Sequence, residues 1–481
     1  MTADTGATFL PTRNEAVSAA RISGRAYDGD PHELPNPADG RLLATVGWAD
    51  QDLVHDAVGA AEAAAAGWAA TGTRERAAAL RGIAQSLRDN TEELARLISA
   101  ESGKRIAEAT AEVGFSALYF DWFADAATQA RDEHVRTAAR RFIVQRHPVG
   151  VVGAVSPWNF PLSIPARKVA PALAAGCTVV QKASELTPLS SLVFTELAEP
   201  HLPEGALGVL VGDGEKLTTA LVDHPDVAAV SFTGSTRVGT FVAERAMRSM
   251  TRVTMELGGK APFIVCADAD VERAVDALMI AKFRNNGASC IAANNVFIHD
   301  DVYEPVVDAL RTRIGEMRVG DPSDPATDLG PMLREEHVFR LAGLVRDAMS
   351  VGCRVDRGPT CPEQGWYATP MLVEATADTG LWNDEIFGPV CAVRPFRDEG
   401  AVVAEVNRWR VGLGGYVMSG STEHAAALAS RLRLGIVGVN NGAPNTPEVP
   451  FGGFGYAGIG REGGVSGMLG FTEEQTISLA R

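Results

Sequence analysis

Lysine is scarce in this chain: six residues in 481, against 38 arginines. The net charge is −16, and no basic patch stands out, which argues against a nucleic-acid partner. The six cysteines (177, 266, 290, 353, 361 and 391) form no CxxC pair and no metal-ligand spacing, so neither a disulfide framework nor a metal site is expected. The first residues, MTADTGATFLPTRNEAV, carry neither a basic start nor an apolar core, so no signal peptide is expected. No apolar run approaches the ~20 residues a membrane-crossing helix needs. At the turn SFTGSTRVG (231–239) the glycine pattern is GxxxxG, neither GxGxxG nor a phosphate-binding loop ending in Gly-Lys-Ser/Thr. These absences leave an acidic, cytoplasmic α/β protein without membrane contacts as the expectation.

At 481 residues the chain exceeds the ~250–300 residues one core supports, so two large domains are expected. Residues 52–130 read as helices, rich in alanine with apolar positions three and four apart, and Gly103 fits a helix stop. Short apolar runs then alternate with helical ones. Strand-like VGVVGAVSP (149–157), CTVVQKA (177–183), GVLVGDG (208–214) and VAAVSFTGS (227–235) flank helical 164–176, 189–202, 214–225 and 236–250. That alternation describes parallel sheets with crossover helices. A second series follows residue 259, with helices at 271–287 and 302–317 and strands at 294–302, 390–396 and 435–442. Residues 450–470 are glycine-rich and read as a packed loop; 473–481 reads as an edge strand.

Five short segments carry chemistry. In SFTGSTRVG, Gly234 and Ser235 turn a strand into a helix whose start, through Gly239, suits a phosphate. A plain structural turn fits equally. Lys182 and Glu185 end a strand, where a carboxylate can bond a ribose diol; a solvated pair is the bland alternative. In Ser156-Pro-Trp-Asn-Phe-Pro, Asn159 is an amide donor of the kind an oxyanion hole uses. Glu256, before Gly-Gly and after apolar sequence, is a carboxylate whose proton affinity burial would raise, as a general base requires. Cys290 follows Gly287, near the expected start of a helix, whose dipole would lower the thiol pKa. Taken alone, each is ambiguous.

Together and in order, ESGK (101–104), PWNFP (157–161), KASELTP (182–188), FTGST (232–236), MELGGK (255–260), NNGASC (285–290), EIFGPV (385–390), VN (439–440), PFGG (450–453) and GIGREGG (458–464) resemble the aldehyde dehydrogenase superfamily. The resemblance implies two Rossmann-like domains with mostly parallel sheets and a small antiparallel oligomerisation element. The nucleotide domain would span 1–126 and 147–258, the catalytic domain 259–448, and the oligomerisation element 127–146 and 465–481.

It further implies oxidation of a small-molecule aldehyde through a Cys290 thiohemiacetal and thioester. Asn159 would hold the oxyanion and Glu256 would activate the hydrolytic water. The cofactor would be NAD, with NADP as the alternative; Glu185 favours NAD because a carboxylate repels a 2′-phosphate. Ser156, Trp158, Lys182, Glu185, Gly234, Ser235, Gly239, Glu385 and Phe387 would bind it, with Lys168 in support. A homodimer or homotetramer is implied as well.

Three departures bear on substrate: Ala288 replaces a glutamine, Asn295 an arginine, and Gly455 the lysine of the family's GGxKxSG. The nearest-looking subgroup is the succinate-semialdehyde type. There Phe160 would line the substrate site and Arg284 would receive a carboxylate, while a second arginine expected in 121–130 is absent and Gln129 stands in its place. A neutral aldehyde stays open on this reading. So do a CoA-acylating semialdehyde dehydrogenase, against which Glu256 speaks, and a catalytically silent binding or structural relative, against which the set Cys290, Asn159 and Glu256 speaks.

Overall fold

The computed structural model describes residues 9–10, 16–129 and 132–480. The assignments above that touch 1–8, 11–15, 130, 131 and 481 lie, for those positions, outside the described residues.

Two mainly parallel sheets organise the chain. The first holds β1 (Val151–Val155), β2 (Thr178–Lys182), β3 (Leu207–Leu210), β4 (Val227–Thr233) and β5 (Arg252–Glu256), in the order β5-β4-β1-β2-β3, all parallel. Gly458–Ile459 adds antiparallel to β5, and the Ala20–Ile22/Arg25–Tyr27 hairpin extends the far edge. Every residue of β1 and β2 is buried, which is why they read as continuous apolar runs and not as an alternation. The strand order reverses between β1 and β4, so Ser156 and the Gly234-Ser235 turn leave the sheet at its switch point, where open α/β sheets bind ligands.

The second sheet holds β6 (Ala261–Val265), β7 (Ala293–His299), β8 (Met371–Glu374), β9 (Val390–Phe396), β10 (Gly414–Met418) and β11 (Ile436–Val439). Its order is β8-β9-β7-β6-β10-β11, all parallel, with Arg354–Arg357 antiparallel outside β8. A small antiparallel sheet joins Glu133–Arg136, Arg140–Pro148 and the terminal strand Thr472–Ala480, which lies at one edge.

Residues 52–130 resolve into four helices: Gln51–Ala70, Thr73–Asp89, Thr91–Ser102 and Ile106–Ala126. Asp50 caps the first by accepting from the Leu53 N–H at 3.0 Å. Gly103 ends the third in a left-handed conformation, φ 75°, as its position suggested. Some elements were not expected. Strands at Ala16–Val17, Asp30–Pro35 and Leu42–Trp48 form a separate three-stranded sheet. The 450–470 stretch is not all loop: it carries Phe454–Gly455, Gly458–Ile459 and the helix Gly464–Leu469. No helix among the described residues is long and apolar enough to cross a membrane.

Two glycine substitutions test this backbone reading with opposite signs. At Gly103 a Cβ would lie 2.8 Å from the Pro331 carbonyl oxygen, on top of the ~1–2 kcal/mol that a left-handed residue costs, so Gly103→Ala lowers the unfolding midpoint. Gly59 is exposed within a helix with nothing within 4 Å of its would-be Cβ, so Gly59→Ala raises stability by about 0.5–1 kcal/mol. Denaturant titration of both variants reads the signs; equal shifts would contradict the assignment.

Candidate active site

The segment before Cys290 is fixed by backbone conformation. The helix Val271–Phe283 stops one residue short of Arg284, and Asn285, Asn286 and Gly287 then take φ of 56°, 56° and 73°. Asparagine and glycine are the residues that tolerate this left-handed region. Asn286 donates its amide to Gly103 O (3.1 Å) and Pro331 O (2.8 Å) and accepts from the Gly330 N–H (2.9 Å). The Asn285 N–H donates to Glu108 at 2.8 Å. A Cβ on Gly287 would sit 2.4 Å from Gly388.

Cys290 then lies in a turn that leads into β7, and not at the start of a helix. This corrects the expectation of a dipole-activated thiol. The residue keeps some contact with a cavity, but enclosure pushes the thiol up to about 12. Arg167 opposes the rise, while the Glu256 and Glu385 carboxyls add to it.

That cavity measures about 310 Å³, and Phe160, Arg167, Arg284 and Cys290 line it together with Lys104 and Glu112. Phe115, Tyr119, Ile164 and Phe451 supply apolar wall. Gln129 is exposed and does not line it; Arg167 does. The second arginine of the cavity thus comes from another helix than the 121–130 segment. Arg167 stands in Ser163–Ala175, every residue of which is buried, and Arg167 and Lys168 are that helix's only charged side chains. Two charges in an otherwise apolar buried helix were the available signal. Arg167 Nε lies 2.6 Å from Glu462, its guanidinium covers the Phe451 ring at 4.4 Å, and its Nη2 is buried without a hydrogen-bond partner.

Asn159 is pinned on both sides. Its carbonyl accepts from Asn285 Nδ2 at 2.8 Å and from Lys104 Nζ at 3.2 Å. Lys104 is ion-paired with Glu112, and Glu112 accepts from the Leu162 and Ser163 N–H groups, both at 3.0 Å. The Asn159 amide donates to Ala288 O at 3.0 Å, which leaves its second hydrogen available. Lys104 and Glu112 were not singled out from sequence, although ESGK contains the lysine.

Glu256 ends β5, is 2% exposed, and neither carboxyl oxygen has a hydrogen-bond partner. Burial holds its proton affinity well above the ordinary carboxylate range, and the neighbouring Glu462 adds to this against Arg167, Lys168 and Arg461. Glu462 goes the other way. Burial opposes ionisation, but Lys168 at 2.5 Å, Arg167 at 2.6 Å and the Ser231 hydroxyl at 3.1 Å hold it below the usual range. Two adjacent carboxyls are thus driven apart, one tending to keep its proton and one staying ionised.

The other group of candidate residues stands at the strand ends of the first sheet. Lys182 Nζ and Glu185 pair at 2.7 Å, and a Cβ on Gly214 would come within 3.3 Å of that carboxylate. Ser235 caps the helix Thr236–Ala246 by accepting from the Val238 N–H. The hydroxyls of Ser156 and Thr233 are buried without partners. Trp158 meets Phe387 edge-on at 5.6 Å and stacks on His337 at 5.0 Å, and Phe387 is itself left-handed, φ 49°. Glu385, raised to about 7 by burial, accepts from the Gly259 N–H at 3.4 Å. Gly239 has a different place: a Cβ there would strike Leu257 at 2.2 Å, so its lack of a side chain serves helix packing. Unpartnered hydroxyls, an open helix start and an acidic strand end fit a dinucleotide.

This fold and site define a class, and comparison with known proteins agrees. The chain matches the aldehyde dehydrogenase family over residues 26–477, and it belongs to that family, whose members oxidise aldehydes with NAD or NADP. It is 35% identical over 453 residues to an NADP(+) succinate-semialdehyde dehydrogenase of Escherichia coli (strain K12), covering 93% of this chain and 94% of that one. A glutarate-semialdehyde dehydrogenase of Pseudomonas putida (strain KT2440) is 34% identical, with 96% and 97% covered. The NAD+ complex of an aldehyde dehydrogenase from Bacillus cereus superposes with a TM-score of 0.94 at 31% identity, covering 98% and 97%.

The environment of Cys290 makes a pH prediction. With the thiol near 12, iodoacetamide labelling of the cofactor-free protein speeds up roughly tenfold per pH unit from 7 to 10, without a plateau. Glu256→Gln accelerates labelling and Arg167→Met slows it. A plateau below pH 8, read by peptide mass spectrometry, would contradict this electrostatic picture.

Proposed function

We propose that this enzyme oxidises a small aldehyde carrying an anionic group at its far end, with NAD preferred over NADP. One observation carries the reading. Arg167 and Arg284 share the Cys290 cavity, and Arg167 presents a buried nitrogen with no partner. A buried, unpaired guanidinium donor is costly, and an anion of the substrate would satisfy it. The relatives named for succinate and glutarate semialdehydes act on substrates of this kind. For the cofactor, the support is Glu185 at the end of β2, which accepts from a 2′-hydroxyl and repels a 2′-phosphate.

The reaction follows from the side chains. Anion contacts at Arg167 and Arg284 hold the substrate with its carbonyl carbon toward Cys290. The Cys290 thiol gives up its proton to solvent as sulfur attacks, giving a thiohemiacetal oxyanion, and Glu256 stays free for the later step. The free hydrogen of the Asn159 amide and the Cys290 N–H, which already faces its own sulfur, stabilise that charge. A bound nicotinamide dinucleotide would supply the hydride acceptor, and Cys290 is left holding the acyl group as a thioester. Glu256 then deprotonates the water that releases the acid; its raised proton affinity makes it a stronger base. Ser156, Trp158, Lys182, Glu185, the Gly234-Ser235 turn, Glu385 and Phe387 would hold the dinucleotide.

In this reading, residues 1–126 and 147–258 form the nucleotide domain and 259–448 carry the nucleophile. The antiparallel element at 127–146 and 465–481, with its exposed strand Glu133–Arg136, joins subunits into a dimer or tetramer.

An aldehyde panel assayed with each cofactor tests the reading. Acid-terminated aldehydes give the highest kcat/KM, and NAD outperforms NADP. Arg284→Gln raises KM for acid-terminated substrates by about tenfold or more, from the ~1.5–3 kcal/mol of a charge-assisted bond, and leaves a neutral aldehyde of equal length unchanged. Equal KM changes for both substrates would refute anion recognition.

A further inference from the structure

The catalytic cysteine lies at the end of the second sheet where its parallel strands begin, just before β7 starts. The opposite end, where those strands finish, has no part in the chemistry above. There the order of the sheet reverses about β6, with β7 on one side and β10 on the other, so the crevice between the ends of β6 and β10 is a second switch point. Cys266 follows β6 directly, and its N–H donates to Met418 O at the end of β10 (2.9 Å). Glu399 opens the helix Glu399–Arg408, and His424 lies in the first turn of Thr422–Ala429. One ligand atom from each of Cys266, Glu399 and His424 lies within 4.8 Å of the other two, with His424 Nε2 3.1 Å from Glu399 Oε2.

We propose that Cys266, Glu399 and His424 form a divalent transition-metal site, of a chemistry that fits zinc, at the carboxyl ends of the strands, remote from Cys290. The donor set decides the ion class. A thiolate, an imidazole and a carboxylate on three separate elements are the ligands zinc takes in tetrahedral sites, with water as the fourth. An oxygen-seeking calcium or magnesium ion has no use for the sulfur.

The surroundings favour a cation. Asp268, Asp398, Glu399 and Glu423 crowd these element ends, and among the described residues none of the four pairs with a lysine or arginine; the one ion pair formed is Glu399–His424. Asp268, exposed two residues beyond Cys266, is held by Ser419 Oγ (2.8 Å) and the Ser421 N–H (3.2 Å). Cys266 is buried, while His424 reaches the surface and offers an entry path. On binding, the Cys266 thiol releases its proton to solvent and the metal–sulfur bond replaces it. The ion would tie a strand end to two helices.

Cobalt(II) titration of the full-length Cys290→Ser protein, which removes the competing catalytic thiol, tests the site. One equivalent binds and gives a thiolate-to-cobalt charge-transfer absorption, which zinc then displaces. Adding Cys266→Ser abolishes the band. His424→Ala, an exposed change that leaves the fold intact, weakens zinc affinity by more than the ~10–100-fold lost when only an outer hydrogen-bond partner is removed. The proposal is overturned if the band survives Cys266→Ser, if His424→Ala binds zinc as tightly as its parent, or if the Cys290→Ser protein takes up neither ion.

Discussion

Three consecutive left-handed residues, Asn285, Asn286 and Gly287, hold the site together. Their conformation turns the chain sharply after Val271–Phe283. The two asparagine side chains then fasten that turn to Gly103, Pro331 and Asn159, which come from three other parts of the chain. Cys290 and Asn159 thereby share a frame although they lie far apart in sequence. The cost of left-handed backbone is low for asparagine and glycine, and it is offset by hydrogen bonds that no other residue type would make here.

Around that frame, charge is buried in arrangements that balance locally. Lys104 with Glu112, and Arg167 and Lys168 with Glu462, are pairs that would be costly to break, since removing one partner strands a buried charge at about 3–5 kcal/mol. Their use is in the differences they create. Glu462 takes the direct ion pairs with Arg167 and Lys168 and stays ionised, so Glu256, buried beside it without a hydrogen-bond partner, has its proton affinity raised. Cys290 meets the same burial, which pushes its thiol up to about 12.

Much of this was readable in the sequence. The parallel strands after residue 149 were legible because both faces are buried and the runs are continuous in valine and alanine. The family motifs brought Cys290, Asn159 and Glu256 to notice before any geometry existed. The parts that stayed hidden did so for physical reasons. The β10 strand, GGYVM, is rich in glycine because Pro262 and Leu434 press against Gly415, so its composition reads as loop. A helix was expected at Cys290, but local propensity lost to the pinned turn. Arg167 was missed because its task depends on a cavity assembled from four segments. Cys266 stands over a hundred residues before Glu399 and His424, which no spacing rule reaches.

The central claim is that Cys290 carries the acyl group and Glu256 releases it. The most direct measurement is peptide mass spectrometry of the Glu256→Gln enzyme, acid-quenched after mixing with NAD and an acid-terminated aldehyde. The account predicts one turnover's worth of NADH and an acyl adduct on the peptide containing Cys290. Sustained turnover with an unmodified Cys290 peptide would contradict it.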